Sequence, residues 1–132
     1  MNKKYALITG STAGIGLDIA QELASRGHNI LLTARREDRL KDIAGQLTLD
    51  YGVHADYVVA DLSETSAPGK IFNFCDSNQY SVNILVNNAG YSINKKFHET
   101  GEEEEEKFLR VLGTSVVALT KRFIPGMLKQ QS

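Results

Sequence analysis

The clearest chemical pattern lies near the start of the chain. Thr9-Gly10-Ser11-Thr12-Ala13-Gly14-Ile15-Gly16 sets glycines at positions 10, 14 and 16, between a short apolar run and a helix-like stretch. Gly10 permits a tight turn, Gly14 lets the backbone approach a pyrophosphate, and Gly16 allows a helix to pack closely on a strand. The helix that opens there offers free N–H groups and its positive dipole end to phosphate. A glycine triplet by itself also serves ordinary turns. Its place after the first strand of an alternating chain is what points to a dinucleotide.

A second signal stands about 20 residues further on, where such a fold recognises the ribose. The second apolar run ends at Ala34-Arg35-Arg36, with no Asp or Glu at 34 or 35. A carboxylate there would take the 2′-hydroxyl of NAD; arginine takes the 2′-phosphate of NADP. One guanidinium able to fork onto phosphate and one able to stack on adenine favour NADP(H) over NAD(H). A solvated pair at a helix start is the bland alternative. Asp61-Leu62 and Asn87-Asn88-Ala89-Gly90 follow the third and fourth runs. Polar residues at the C-terminal ends of strands lie where open α/β sheets bind ligands, although Asx and Gly also cap strands in plain turns.

Other candidates are weak. His28, His54 and His98 show no ligand spacing. Ser63, Thr65, Ser66 and Ser115 have no base at readable spacing, so hydrolase chemistry is unsupported. Glu102–Glu106 suit a solvated helix start, with Glu103/Lys107 and Glu106/Arg110 as i, i+4 pairs. Cys75 is the only cysteine, which excludes an intrachain disulfide and CxxC metal sites and reads as a buried thiol in a reducing compartment.

The elements that must carry these residues follow from periodicity. Tyr5–Thr9, Asn29–Ala34, Tyr57–Ala60 with the residues just before it, and Val82–Val86 are short apolar runs, as in strands of a parallel sheet covered on both faces. Between them, Ile15, Ile19, Leu23 and Ala24, then Leu40, Ile43, Ala44 and Leu47, then Ile71, Phe72 and Cys75 recur at helical spacing. Gly27 and Gly52 stop the first two helices. A long amphipathic helix from Glu102 to about Lys129 is expected to face the core with Phe108, Leu112, Val116, Leu119, Phe123 and Met127, and to bend near Pro125-Gly126.

With 132 residues, 42% of them hydrophobic, one α/β domain is expected over 1–132. The charges are interspersed and the net charge is −1, so neither a nucleic-acid footprint nor a polar tail is supported. The N-terminus offers no apolar stretch suited to a signal peptide or a membrane span, and a cytoplasmic location is the expectation.

Taken together, TGxxxGIG at 9–16, Asp61-Leu62 and Asn87–Gly90 resemble the short-chain dehydrogenase/reductase family. The run LTARREDRL resembles its NADP-dependent reductase-like branch. The resemblance covers the whole chain but only about the first half of a family member. It implies an oxidoreductase using NADP(H) on an unidentified carbonyl or alcohol. It places Ser11, Thr12 and Ile15 along the phosphates, Arg35 on the 2′-phosphate, Asp61 and Leu62 beside the adenine, and Asn88 near the cofactor ribose, with Asn87–Gly90 also bracing the sheet. The family's catalytic Ser and Tyr-x-x-x-Lys belong to its second half, and its helix Asn aligns with Leu112. Tyr91-Ser92-Ile93-Asn94-Lys95 matches the Tyr/Lys spacing formally but follows Asn87–Gly90 directly, without helical periodicity, and reads as a decoy.

A βαβ unit takes ~30 residues, so the chain holds about four strand–helix units of an incomplete, doubly wound Rossmann-like sheet. The leading expectation is therefore an NADP(H)-dependent oxidoreductase whose Ser and Tyr-Lys half this chain lacks, with little or no catalysis by the chain alone. The alternatives are a non-catalytic NADP(H)-binding half-domain or a truncated remnant acting, if at all, through self-association. Self-association is expected through the edge of the fourth strand or the last helix.

Overall fold

The computed structural model describes residues 3–12, 14–89 and 101–130. Four strands alternate with helices: β1 (Lys3–Thr9), α1 (Gly14–Ser25), β2 (Asn29–Ala34), α2 (Glu37–Tyr51), β3 (Ala55–Val59), α3 (Ala67–Ser77) and β4 (Tyr80–Val86). A helical stretch follows as α4 (Glu102–Leu109), a π turn at Arg110–Thr114 and α5 (Ser115–Gln130). The sheet is parallel, in the order β3-β2-β1-β4. The fold is therefore the Rossmann-like α/β arrangement that the alternation predicts.

Burial explains which runs were legible. β1 and β2 are central, and Tyr5–Thr9 and Ile30–Thr33 are inaccessible on both faces. One face packs Ala6, Ile8, Ile30 and Leu32 against Ala20 and Ala24 of α1 and Leu40, Ala44 and Leu47 of α2. The other packs Tyr5, Leu7, Leu31 and Val82 against Ile71 and Cys75 of α3 and Leu119 and Phe123 of α5. β3 is an edge strand and only partly buried, and its ladder continues one residue past it, where the Ala60 N–H donates to the Ala34 carbonyl at 3.0 Å. On the other edge, β4 pairs with β1, and the register slips so that Tyr5 faces Val82 while Ala6 faces Ile84. This bulge leaves Asn83 extra and exposed, and it puts Ile84 and Val86 on the α1/α2 face.

Two helix faces differ from the expected ones. Ile15 is 71% exposed, and α1 meets the sheet through Gly16, Ala20 and Ala24 instead. Small side chains let the helix approach closely, so the large apolar residues fall to the flanks. In the last helical stretch Leu112 is 48% exposed, while Val111 and Ser115 are buried in line with Leu119 and Phe123. The π turn adds a residue to one turn and shifts the phase of everything before it. The expected departure at Pro125-Gly126 is not where the irregularity lies: the helix continues through Pro125, and the break from α geometry is at Arg110–Thr114. The stretch Glu102–Lys129 has the length and apolarity of a membrane span, and one face of it packs onto the sheet through Leu119 and Phe123.

Candidate functional site

The C-terminal ends of β1, β2 and β4 are tied together by hydrogen bonds around the glycine loop. Thr9 is buried, and its hydroxyl accepts the backbone N–H groups of Asn88 and Ala89, each at 2.9 Å, while donating to the Val86 carbonyl at 3.4 Å. The Asn88 side-chain amide donates to the Gly10 carbonyl at 3.2 Å. The Gly10 N–H donates to the Thr33 carbonyl at 3.0 Å. Asn87 reaches the other way, donating to the Thr120 hydroxyl on α5 at 3.3 Å. The Asn87–Ala89 segment thus braces the sheet, as the resemblance implies; Gly90 lies outside the described residues.

The three glycines play different parts. Gly10 has φ +63°, and a Cβ there would lie 2.7 Å from the Ala89 Cα. At Gly16 a Cβ would lie 2.4 Å from the Asn88 amide nitrogen and 2.5 Å from the Gly10 carbonyl oxygen. Both contacts are closer than a side chain tolerates. Gly14 has φ +59° but nothing within 4 Å of its Cβ direction. Space therefore remains open at the first turn of α1, which contains no acidic residue to neutralise the helix's positive end. That combination suits an anion.

Beside it opens a cleft of about 160 Å³. Gly10, Thr12 and Ala89 form its inner side, and Ala34, Arg35 and Arg36 close it from β2. Asp61 and Leu62 after β3, with Val111 of the π turn, form the third wall. Thr33 also lines it; its hydroxyl is buried and has no hydrogen-bond partner among the described residues. A buried polar atom facing a cleft is one that a ligand can satisfy.

Arg35 makes no hydrogen bond or ion pair among the described residues, while Arg36 reaches Asp38 at 3.4 Å, with both side chains 71% exposed. Such an exposed pair holds little energy and leaves Arg36 available. Arg39, which the spacing did not single out, donates to the Thr12 carbonyl at 3.0 Å and so fastens α2 to the glycine loop. Burial alone pushes the Asp61 carboxyl up. The Ser63 hydroxyl and backbone N–H, at 2.7 and 2.9 Å, with the charges of Arg35 and Lys107, outweigh burial and leave it below the ordinary carboxylate value.

Ser11, Ile15, Gly16 and Asn88 adjoin this cleft rather than line it. Ser11 is fully buried, with its hydroxyl 3.5 Å from the Thr33 carbonyl. Ile15 stands exposed at the mouth. The sequence pattern includes Thr9 only as the first residue of the glycine motif and omits Thr33, because a threonine at a strand end reads as an ordinary strand residue. His54 belongs elsewhere: it bonds the Tyr5 hydroxyl and Asn29 at the opposite end of the sheet. His98 and Tyr91–Lys95 lie outside the described residues. Leu112, where the resemblance expects an amide, is in the π turn and offers no polar atom. Among the described residues no three His, Cys, Asp or Glu side chains gather as a metal site.

Comparison with known proteins agrees with this geometry. The short chain dehydrogenase family profile matches residues 4–132. The chain is 34% identical over 128 residues to 3-oxoacyl-acyl-carrier-protein reductase FabG of Aquifex aeolicus, covering 97% of this chain and 52% of that protein. It is 33% identical over 129 residues to the very-long-chain 3-oxoacyl-CoA reductase of Candida glabrata, covering 95% of this chain and 36% of the relative. It therefore spans about a third to a half of the length of these relatives. Among solved structures, L-sorbose reductase from Gluconobacter frateurii, complexed with NADPH and L-sorbose, superposes with a TM-score of 0.89 at 34% identity, covering 98% of this chain and 49% of that one. A short-chain dehydrogenase from Sphingobium yanoikuyae in complex with NADPH gives 0.86 at 28% identity, covering 97% and 49%. On its sequence match, its sheet order and its glycine loop, this chain belongs to the short-chain dehydrogenase family.

Proposed function

We propose that residues 1–132 hold NADP(H) for an oxidoreductase acting on a carbonyl or alcohol. The observation that carries this reading is a cleft lined by Thr33 and Arg35 that lies beside the open start of α1. The first turn of α1 is open at Gly14, the Thr33 hydroxyl lacks a partner among the described residues, and Arg35 lacks an ion pair among them. A pyrophosphate suits the first, and a 2′-phosphate on the ribose suits Arg35, with Arg36 placed to stack on adenine. Asp61 and Leu62 border the adenine, and Asn88 lies near the ribose. Two similar structures hold NADPH, which supports the phosphorylated form.

When bound, the dinucleotide supplies or accepts a hydride. The residues of this chain bind and orient it. Among the described residues no Tyr and Lys pair at i, i+4 shares a helix, and the Leu112 side chain has no group to relay a proton. The 132 residues by themselves are therefore a holding module, not a catalyst. The exposed Leu109, Val117, Ile124 and Leu128 and the outer edge of β4 also favour self-association. The buried free thiol of Cys75 fits a reducing compartment such as the cytoplasm.

The test is thermal unfolding of the 132-residue chain with NADPH or NADH, together with NADPH oxidation against a panel of aldehydes and ketones. The expected result is a larger rise in melting temperature with NADPH than with NADH, and no carbonyl-dependent turnover. Equal or absent shifts contradict the cofactor reading; turnover contradicts the holding-module reading.

A further inference from the structure

The loop Asp61-Leu62-Ser63, which forms the third wall of the cleft, is nearly closed off from solvent at Leu62 and Ser63, 7% and 5% exposed. Its front is shaped from within: Ser63 donates both its N–H and its hydroxyl to Asp61 Oδ1. Its back is held by two residues of a different element. The Arg110 guanidinium donates to the Ser63 carbonyl at 2.7 Å, and the buried Ser115 hydroxyl donates to the Leu62 carbonyl at 2.6 Å.

The π turn is what brings those two donors together. In an unbroken α-helix, residues five apart point about 140° away from one another. Here the Ser115 N–H bonds the Arg110 carbonyl, an i to i+5 link that sets the two residues one above the other. Val111, between them, is 4% exposed and lines the cleft itself. One turn of helix thus supplies part of the cleft surface and clamps the backbone of the neighbouring wall.

We propose that Arg110 and Ser115 are positioning residues that hold the Asp61–Ser63 loop in place and so set how tightly the cleft takes the adenosine end of its ligand. The inference rests on the cofactor reading above and goes beyond it. Neither residue lines the cleft, so neither touches the ligand in this arrangement. Without Arg110 the Ser63 carbonyl is left buried and unsatisfied, and the loop relaxes toward water at the expense of the wall. A lysine keeps a cationic donor for that carbonyl, whereas methionine keeps only the stem.

The experiment titrates adenosine 2′,5′-bisphosphate calorimetrically into the 132-residue chain and into Arg110→Met, Arg110→Lys, Ser115→Ala and Met127→Ala. Met127 packs against the same core from α5, twelve residues beyond Ser115, so it reports general loosening of the helix. Arg110→Met and Ser115→Ala are expected to weaken binding by roughly tenfold, the effect of one strong buried hydrogen bond. Arg110→Lys is expected to recover most of that loss, and Met127→Ala to bind as wild type despite a lower melting temperature. Wild-type affinity in both Arg110→Met and Ser115→Ala overturns the inference alone. So does an equal loss in Met127→Ala. Absence of binding by the wild-type chain overturns the cofactor reading and this inference with it. Should Arg110→Met fail to fold, Ser115→Ala with Met127→Ala decides the question.

Discussion

Replacing Gly16 with alanine tests the closest packing in the site. The added methyl would stand 2.4 Å from the Asn88 amide nitrogen and 2.5 Å from the Gly10 carbonyl oxygen, against an ordinary contact of about 3.5 Å or more. Gly10 is held in place, since its N–H is bound to the Thr33 carbonyl and its own carbonyl accepts from the Asn88 amide. The Asn88 side chain can swing away only by giving up its bond to Gly10. Overpacking of this kind costs about 1–3 kcal/mol, and the lost hydrogen bond about 1 more. Alanine returns about 1 kcal/mol through helix propensity, which leaves a net loss of about 1–3 kcal/mol. For a chain of this size each kcal/mol shifts the melting temperature by about 4 °C, so a fall of about 4–12 °C is expected by calorimetry or circular dichroism. Gly45→Ala is the control, because nothing lies within 4 Å of its Cβ direction. It is expected to gain about 0.5–1 kcal/mol and leave NADPH affinity unchanged. A Gly16→Ala protein as stable as wild type, with normal affinity, would refute the close-packing argument.

Four further outcomes follow from the geometry. Thr9→Val keeps the shape but strands the N–H groups of Asn88 and Ala89; a loss of about 2–3 kcal/mol in urea unfolding and much weaker NADPH binding are expected. Arg35→Gln is expected to weaken NADPH by about 10–100-fold while leaving NADH nearly unchanged, measured by nicotinamide fluorescence. Because the Asp61 pKa is lowered in the folded protein, its stabilisation is full above the unfolded carboxylate value and is lost as pH falls through the folded one. Asp61→Asn should therefore lose stability at neutral pH and show a flatter acid limb in melting temperature below about pH 4. Burial pushes the Cys75 thiol up to about 12, so iodoacetamide at pH 8 should label it only after unfolding, and alkaline pH above its ordinary value should cost stability.

The central strands were legible because β1 and β2 are buried on both faces and leave uninterrupted apolar runs. The glycine loop was legible because three separate steric demands each leave a glycine at a fixed offset. Ile15 and Leu112 misled for opposite reasons. On α1 the contact is made by Gly16, Ala20 and Ala24, whose small size hides the face from any count of large apolar residues. On the last helical stretch the period itself changes at Arg110–Thr114, and a uniform 3.6-residue count selects Leu112 where the fold buries Val111. The roles of Thr9, Thr33, Arg39 and Arg110 depend on partners that are distant in sequence. Arg110 and Ser63 lie 47 positions apart, and no local spacing links them.

The account depends most on the cleft between the glycine loop and Arg35 being a site for a phosphorylated dinucleotide. Isothermal titration of the 132-residue chain with NADPH and, separately, with NADH addresses that directly. Saturable binding of both, with NADPH at least tenfold tighter and the difference abolished in Arg35→Gln, is the result predicted. Absence of saturable binding, or equal affinity for the two dinucleotides in the wild-type chain, would contradict it.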